Sequence, residues 1–261
     1  MVKILVCYKW VLDEGDIVVD EKDRSLDLTR AKGKISEYDR NALELGAALQ
    51  GSTGCRLVAA TVGKGVKESV SDVLSRGPEE VFYLDSPDLA SLDSFLTAQL
   101  LAALIQKIGD IDLVICGEGS SDFYSQQVGP RLAALLGYGS LSYAAGVQLQ
   151  GSEIMVERKL DRDLETVKTQ LPAVVTVLPE INKPRIPGLK HILAAKKKPS
   201  TAVTLAEIGW AGKELASPVE VTGTRAVVME RKQIKVNEGG LTLQETAAKL
   251  IKQLQTDRVL S

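Results

Sequence analysis

The chain is short of the residues that most enzymes use to do chemistry. It has one histidine, His191, three cysteines and three phenylalanines among 261 residues, and aromatics make up only 4%. A single histidine excludes His-rich metal centres and leaves little room for a Ser/His/Asp triad. Cys7, Cys55 and Cys116 form no CxxC pair, and each lies in or beside an apolar run, where a thiol behaves as a small core residue. Neither disulfides nor structural zinc is expected, and no residue is assigned to a metal. Excess charge is scarce too: 32 Lys and Arg against 34 Asp and Glu leave −2, too little to hold a polyanion, so bulk nucleic-acid binding is excluded. No apolar run reaches the length of a membrane span, and "MVKILVCYKW" passes quickly into "LDEGD". A cytoplasmic protein with no membrane insertion is expected.

What is present is apolar material, 44% of the chain, enough for one large core. Short β-branched runs recur: "KILVCYKW" (3–10), "CRLVAATVG" (55–63), "EEVFYLD" (79–85), "DLVICG" (112–117) and "PAVVTVL" (172–178). Between them "ALELGAALQ", "VKESVSDVLSRG" and "FLTAQLLAALIQKIG" have helical periodicity. Strand and helix in alternation imply an α/β fold with a mostly parallel sheet covered on both faces. Two segments read as hairpins that decorate the sheet outside its parallel core: 16–28, and 146–160 with the turn "QGSE". After Pro199 a Gly- and Pro-punctuated stretch leads to a strand-like "TRAVVMERKQIKV" (224–236) and an amphipathic helix "LTLQETAAKLIKQLQ" (241–255). This tail has too little apolar content for a core of its own and is expected to pack on another surface, such as a partner subunit.

In such sheets ligands sit beyond the carboxyl ends of the strands. The strongest candidate there is "DLVICGEGSSDFYSQQVGPRLAALLG" (112–137): a buried strand, then Gly117 and Gly119 for close backbone approach, then Ser120, Ser121 and Asp122 as hydroxyls and helix cap. Pro130 leaves two readings, a helix beginning at Gly129 or one beginning near Asp122 that bends. The segment fits neither GxGxxG nor a Walker loop, and an ordinary capped helix remains an alternative. "KISEYDRNALELGAAL" (34–49) reads as a well-started helix with Ser36 to Asp39 as its capping region and Asn41 and Glu44 early within it. Lys9 and Trp10 either face the crevice or are a surface lysine beside a packing tryptophan. "VERKLDRDLETVKTQLP" (156–172), with mixed charges, reads as a solvated face. No paired-carboxylate or activated-nucleophile arrangement stands out.

"INKPRIPGLKHILAAKKKP" (181–199) carries six Lys or Arg and no acid around Leu189, Ile192 and Leu193. Composition alone makes it a solubilising surface run. Taken with "VERKLDRDLETVKTQLPAVVTVLPE" before it, however, the stretch resembles the signature region of the electron transfer flavoprotein β subunit. "CYKWVLDEGDI", "YDRNALELGAAL", "SRGPEEVF" and "CGEGSSDFYSQQVGP" support the resemblance in collinear order over roughly residues 1 to 210. "DVLSRGP", "GSSD" and "QQVG" make it most similar to the Fix-type branch, associated with carnitine metabolism and nitrogen fixation.

The resemblance implies a Rossmann-like (adenine nucleotide α hydrolase-like) domain over residues 1–199, with 200–261 as an arm packing on the α subunit. It implies a heterodimer whose α subunit holds one FAD, while the β crevice holds either AMP or a second FAD. Its nucleotide pocket falls on Cys7 and Lys9, on Ser36, Tyr38 and Asp39, and on Val62 and Gly63. It continues through Gly117, Gly119, Ser120, Ser121 and Asp122 to Ser125, Gln126, Gln127, Val128 and Gly129. "EYD" and "QVGP" resemble the electron-bifurcating pattern, in which NADH gives hydride to the β-site FAD and the electrons divide between a high-potential acceptor and a ferredoxin-like one. Tyr124 departs from that pattern, which has an Asp there, so AMP stays open. By the same resemblance 181–199 is the loop that docks an acyl-CoA-type dehydrogenase or a quinone oxidoreductase, with Leu189 as anchor and Arg185, Lys190 and Ile192 around it; His191 has no role. An adenine-nucleotide-binding sensor of the universal-stress type is the alternative of another class. It needs neither residues 178–199 nor the tail.

Overall fold

A computed structural model gives the fold and describes residues 1–227, 233–237 and 239–260. In chain order the strands and helices are β1 (Lys3–Cys7), β2 (Trp10–Leu12), β3 (Val18–Val19), β4 (Leu26–Asp27), β5 (Gly33–Ile35), α1 (Glu37–Thr53), β6 (Arg56–Gly63), α2 (Val70–Ser75) and β7 (Glu80–Asp85). There follow α3 (Ser94–Ile108), β8 (Leu113–Gly117), α4 (Val128–Leu136), β9 (Gly139–Gln150), β10 (Glu153–Lys159), β11 (Leu164–Gln170), β12 (Ala173–Val177), α5 (Leu189–Ala195), β13 (Ser200–Ala202) and α6 (Leu243–Thr256).

The apolar runs become strands because both faces of the sheet are covered, so neighbours in sequence are buried on opposite sides. Ile4 and Val6, with Leu57, Ala59, Leu113 and Ile115, meet Leu43 and Leu45 of α1 and Val73 of α2. Leu5 and Cys7, with Val58, Ala60, Val114 and Cys116, meet Leu100 and Leu104 of α3 and Leu132 of α4. A Rossmann-like α/β architecture results, with a nine-stranded sheet in the order β11-β10-β9-β12-β8-β1-β6-β7-β13. From β9 to β13 every neighbour is parallel, and β10 and β11 extend the sheet antiparallel at one edge.

One expectation changes and two are refined. The hairpin at 146–160 does not merely decorate the sheet: β9 is twelve residues long, and its first half pairs in parallel with β12 before the rest pairs with β10. The charged run at 156–172 is largely exposed, as expected of a solvated face, and in addition forms the end of β10 and all of β11. In the strand-like segment at 224–236, residues 228–232 lie outside the described ones, and the described remainder has no strand partner; Ala226 N–H bonds only the Arg24 carbonyl, at 3.0 Å.

The small hairpin at 16–28 forms as β3 and β4, and β2 pairs with β5, where the Trp10 ring lies over Gly33. The sheet also takes in Ser200–Ala202, and Leu205, Ile208 and Trp210 pack on the α3 side of the core. Farther on, α6 starts with a full capping box between Thr242 and Glu245, and no residue of it is buried. Among the described residues no helix is long and apolar enough to cross a membrane, and no three of His, Cys, Asp and Glu group as a metal site.

Candidate functional site

After β1 the chain adds β6 and β7 on one side of it, then returns to place β8 on the other. The carboxyl ends of β1 and β8 therefore flank a switch point, where α/β sheets open a crevice. Asp39, in the first turn of α1, spans it: Oδ2 accepts the Lys9 N–H at 2.8 Å and Oδ1 accepts the Gly117 N–H at 3.1 Å. Burial pushes this carboxyl up to about 7, against the pull of those two amides. Only glycine fits at 117, since a Cβ would stand 2.7 Å from Asp39 Oδ1. Asp39 was expected as a helix-start acid. Its partners, distant in sequence, make it a strap between strands.

Ser36 is buried but does not cap α1 with its side chain; its Oγ accepts the Ser121 N–H at 3.3 Å instead. Cys7 at the end of β1 and Cys116 near the end of β8 are buried free thiols on the α3 side, and the hydrogen bond the Cys116 thiol makes to Cys7, with burial, raises it. Val62 and Gly63 close β6, and Asp85 at the end of β7 accepts the Gly65 and Lys67 N–H groups at 2.8 and 2.9 Å, fixing the loop that follows.

The loop from Glu118 to Gln127 lies over this crevice. Lys9 Nζ reaches Asp122 Oδ2 at 2.5 Å, while Asp122 Oδ1 accepts the Ser120 hydroxyl at 2.5 Å and the Phe123 N–H at 2.7 Å. Burial alone would raise the Asp122 carboxyl, but Lys9 holds it below the usual range. Of the two helix starts left open, the one at Gly129 is right to within a residue: Asp122 closes a turn, and α4 begins six residues later at Val128 with Pro130 in its first turn, where a missing N–H costs nothing. Tyr124 donates to the buried Glu118 carboxylate, which pushes the phenol up, and its ring packs 5.1 Å from that of Tyr38. Gln126 lies beside it, Ser125 is exposed, and the Gln127 side-chain oxygen accepts from Ser94 and Arg131 at 2.8 Å each. Gly129 lets α4 press on β12: a Cβ there would fall 2.2 Å from Thr176 Cγ2. Ser121 Oγ is buried with no protein partner. Trp10 turns away to Gly33, so of that pair only Lys9 faces the crevice.

The basic stretch is anchored at both ends. Asn41 Nδ2 donates to the Pro179 and Asn182 carbonyls at 2.8 and 2.9 Å, and Asn182 Nδ2 returns a bond to the Asn41 carbonyl at 3.0 Å. Arg185 grips Glu44 with Nε at 2.7 Å and Nη2 at 2.8 Å. Lys198 Nζ donates to the Leu74, Gly77 and Pro78 carbonyls behind α2, at 2.8, 3.1 and 2.7 Å, and burial lowers its pKa. Two of the six cations therefore hold the loop to its own chain. Between the anchors Ile186 and Leu189 are 94% and 72% exposed, and Lys190, Ile192 and Leu193 are exposed beside them. The roles of Asn41 and Glu44 were not visible in sequence, where each was one more polar residue in a helix start.

Residues 25–208 match a family model described as the electron transfer flavoprotein domain.

Proposed function

Because the chain belongs to the electron transfer flavoprotein family, we propose that it acts as the β-type subunit of a heterodimeric electron carrier, of the Fix-type branch, that bifurcates electrons from NADH through a flavin in its own crevice. The observation that carries the reading is the crevice at the β1/β8 switch point, strapped by Asp39 and roofed by a loop whose buried Ser121 hydroxyl has no protein partner. A buried hydroxyl without a partner is the kind of group a polar ligand satisfies. Lys9, paired with Asp122, adds a cation there.

A bound flavin supplies two-electron exchange with NADH and one-electron exchange with the acceptors. The chain's own residues bind and orient. Asp39 holds the two walls at fixed separation, Ser121 offers a hydroxyl, and the buried Cys7, Val62 and Cys116 at the strand ends keep water from the floor. FAD fits this set, and so does AMP, which shares the adenosine and phosphate. AMP is favoured by Tyr124, which stands where the bifurcating pattern has an acid. The tail from 200 with α6 then packs on the α subunit, and the anchored loop at 181–199 docks an acyl-CoA-type dehydrogenase or quinone oxidoreductase, with a ferredoxin-like protein as low-potential acceptor.

Counting FAD and AMP in the heterodimer purified after co-expression tests this reading. Two FAD are expected; one FAD with one AMP overturns bifurcation, and no bound nucleotide beyond the α-subunit FAD overturns the crevice as a cofactor site.

A further inference from the structure

Aromatic rings are rare in this chain, yet three of them, Tyr38, Phe123 and Tyr124, stand at the loop after β8. Of the three phenylalanines, Phe82 packs against the core, while Phe123 is 65% exposed and Phe95 39% exposed. Tyr124, next to Phe123, is 43% exposed. Tyr124 holds φ at +45° and Gln126 at +57°, backbone conformations that L side chains rarely adopt. The fold thus turns Tyr124 onto Tyr38, centroids 5.1 Å apart at 39° between planes, and seats Phe123 beside the Lys9 ammonium, 5.0 Å from its ring centroid. Gly119 is needed beneath, since a Cβ there would meet the Tyr124 ring at 2.4 Å. Exposed rings gathered over a crevice whose loop also holds the unpartnered Ser121 hydroxyl call for a ligand that is flat and apolar on its faces and polar at its edges.

We propose that Phe123 and Tyr124, with Tyr38 behind them, form an aromatic shelf that receives the planar heteroaromatic ring of the crevice ligand. The inference deepens the cofactor reading above and rests on it. Isoalloxazine and adenine share the required chemistry, and the two are separated by experiment.

The full chain and its Phe123→Ala, Phe123→Leu, Tyr124→Ala and Tyr124→Phe variants are titrated with FAD and with AMP, and flavin fluorescence is recorded in the bound state. Each alanine variant is expected to bind about tenfold or more weakly, the range of ring-on-ring stacking. Tyr124→Ala also relieves quenching of the flavin, and Tyr124→Phe keeps the affinity. Loss for FAD with AMP unchanged places isoalloxazine on the shelf; equal loss for both places adenine there. Folded variants with unchanged affinity and fluorescence overturn the shelf while leaving the cofactor reading intact. Wild-type chain that binds neither ligand overturns both. Phe123→Leu, close in volume, keeps the test available if an alanine variant fails to fold, and its affinity is expected to fall as well.

Discussion

Arg185 and Glu44 meet in a two-point ion pair, 2.7 and 2.8 Å, across 141 positions of sequence. Burial would raise the Glu44 carboxyl, but the Arg185 bonds hold it below its usual value. The pair is half-open to solvent, with side-chain exposures of 43% for Arg185 and 16% for Glu44, so its net effect on global stability is small. Glu44→Ala is expected to cost no more than about 1 kcal/mol in urea unfolding yet to speed tryptic cleavage at Arg185 and Lys190. Unchanged cleavage would show that Asn41 and Lys198 hold the loop without it.

Leu189 is the opposite case, a large apolar side chain left 72% exposed. Leu189→Ala should leave the melting temperature and bound cofactor as they are and weaken capture of the cognate dehydrogenase about tenfold, since full burial of a leucine is worth roughly 1.5–3 kcal/mol. Steady-state reduction of the partner at limiting concentration reads this directly. A rate equal to wild type argues against the loop as a docking element.

Asp39 sets a pH dependence whose sign follows from its raised value. Its folded pKa, about 7, lies above the ordinary 3.8, so its contribution to stability is full below that lower value and is lost as pH rises through neutrality. A difference of about three units corresponds to roughly 4 kcal/mol at most. Unfolding free energies measured at intervals from pH 4 to 8 should therefore slope downward from this group, and Asp39→Asn should flatten the slope. An identical profile in the variant would mean that other groups govern it.

Two glycines give opposite outcomes for the same change. Gly117→Ala forces a methyl to 2.7 Å from Asp39 Oδ1 and 2.9 Å from the Tyr38 carbonyl carbon, and overpacking of this kind costs about 1–3 kcal/mol. Gly51 lies in α1 with nothing within 4 Å of a built Cβ, so Gly51→Ala should stabilise by about 0.4–1 kcal/mol. Chemical denaturation of both variants decides. A destabilised Gly51→Ala would contradict the open space seen there.

β1, β6, β7, β8 and β12 were legible because each lies in a continuous apolar, β-branched run, the pattern a doubly covered sheet demands. β11 was not: "LETVKTQ" alternates polar with polar, and only its pairing with β10 makes it a strand. β13 is three exposed residues on an edge, too short to announce itself. At the site, glycines and hydroxyls after β8 marked the loop, but the strap escaped notice. Nothing near Asp39 in sequence says that its acceptors will face the amides of Lys9 and Gly117, and the same holds for Asn41 toward Asn182. Such roles are set by partners 30 to 141 residues away.

The first two turns of α1 hold Asp39 toward the crevice and Asn41 and Glu44 toward the basic loop. That short stretch of helix is a lever with a load at each end. A displacement of this turn would strain the Asp39 bonds to Lys9 and Gly117 and the Asn41 and Glu44 anchors at once. The crevice wall and the basic loop therefore share one short piece of helix as their common support.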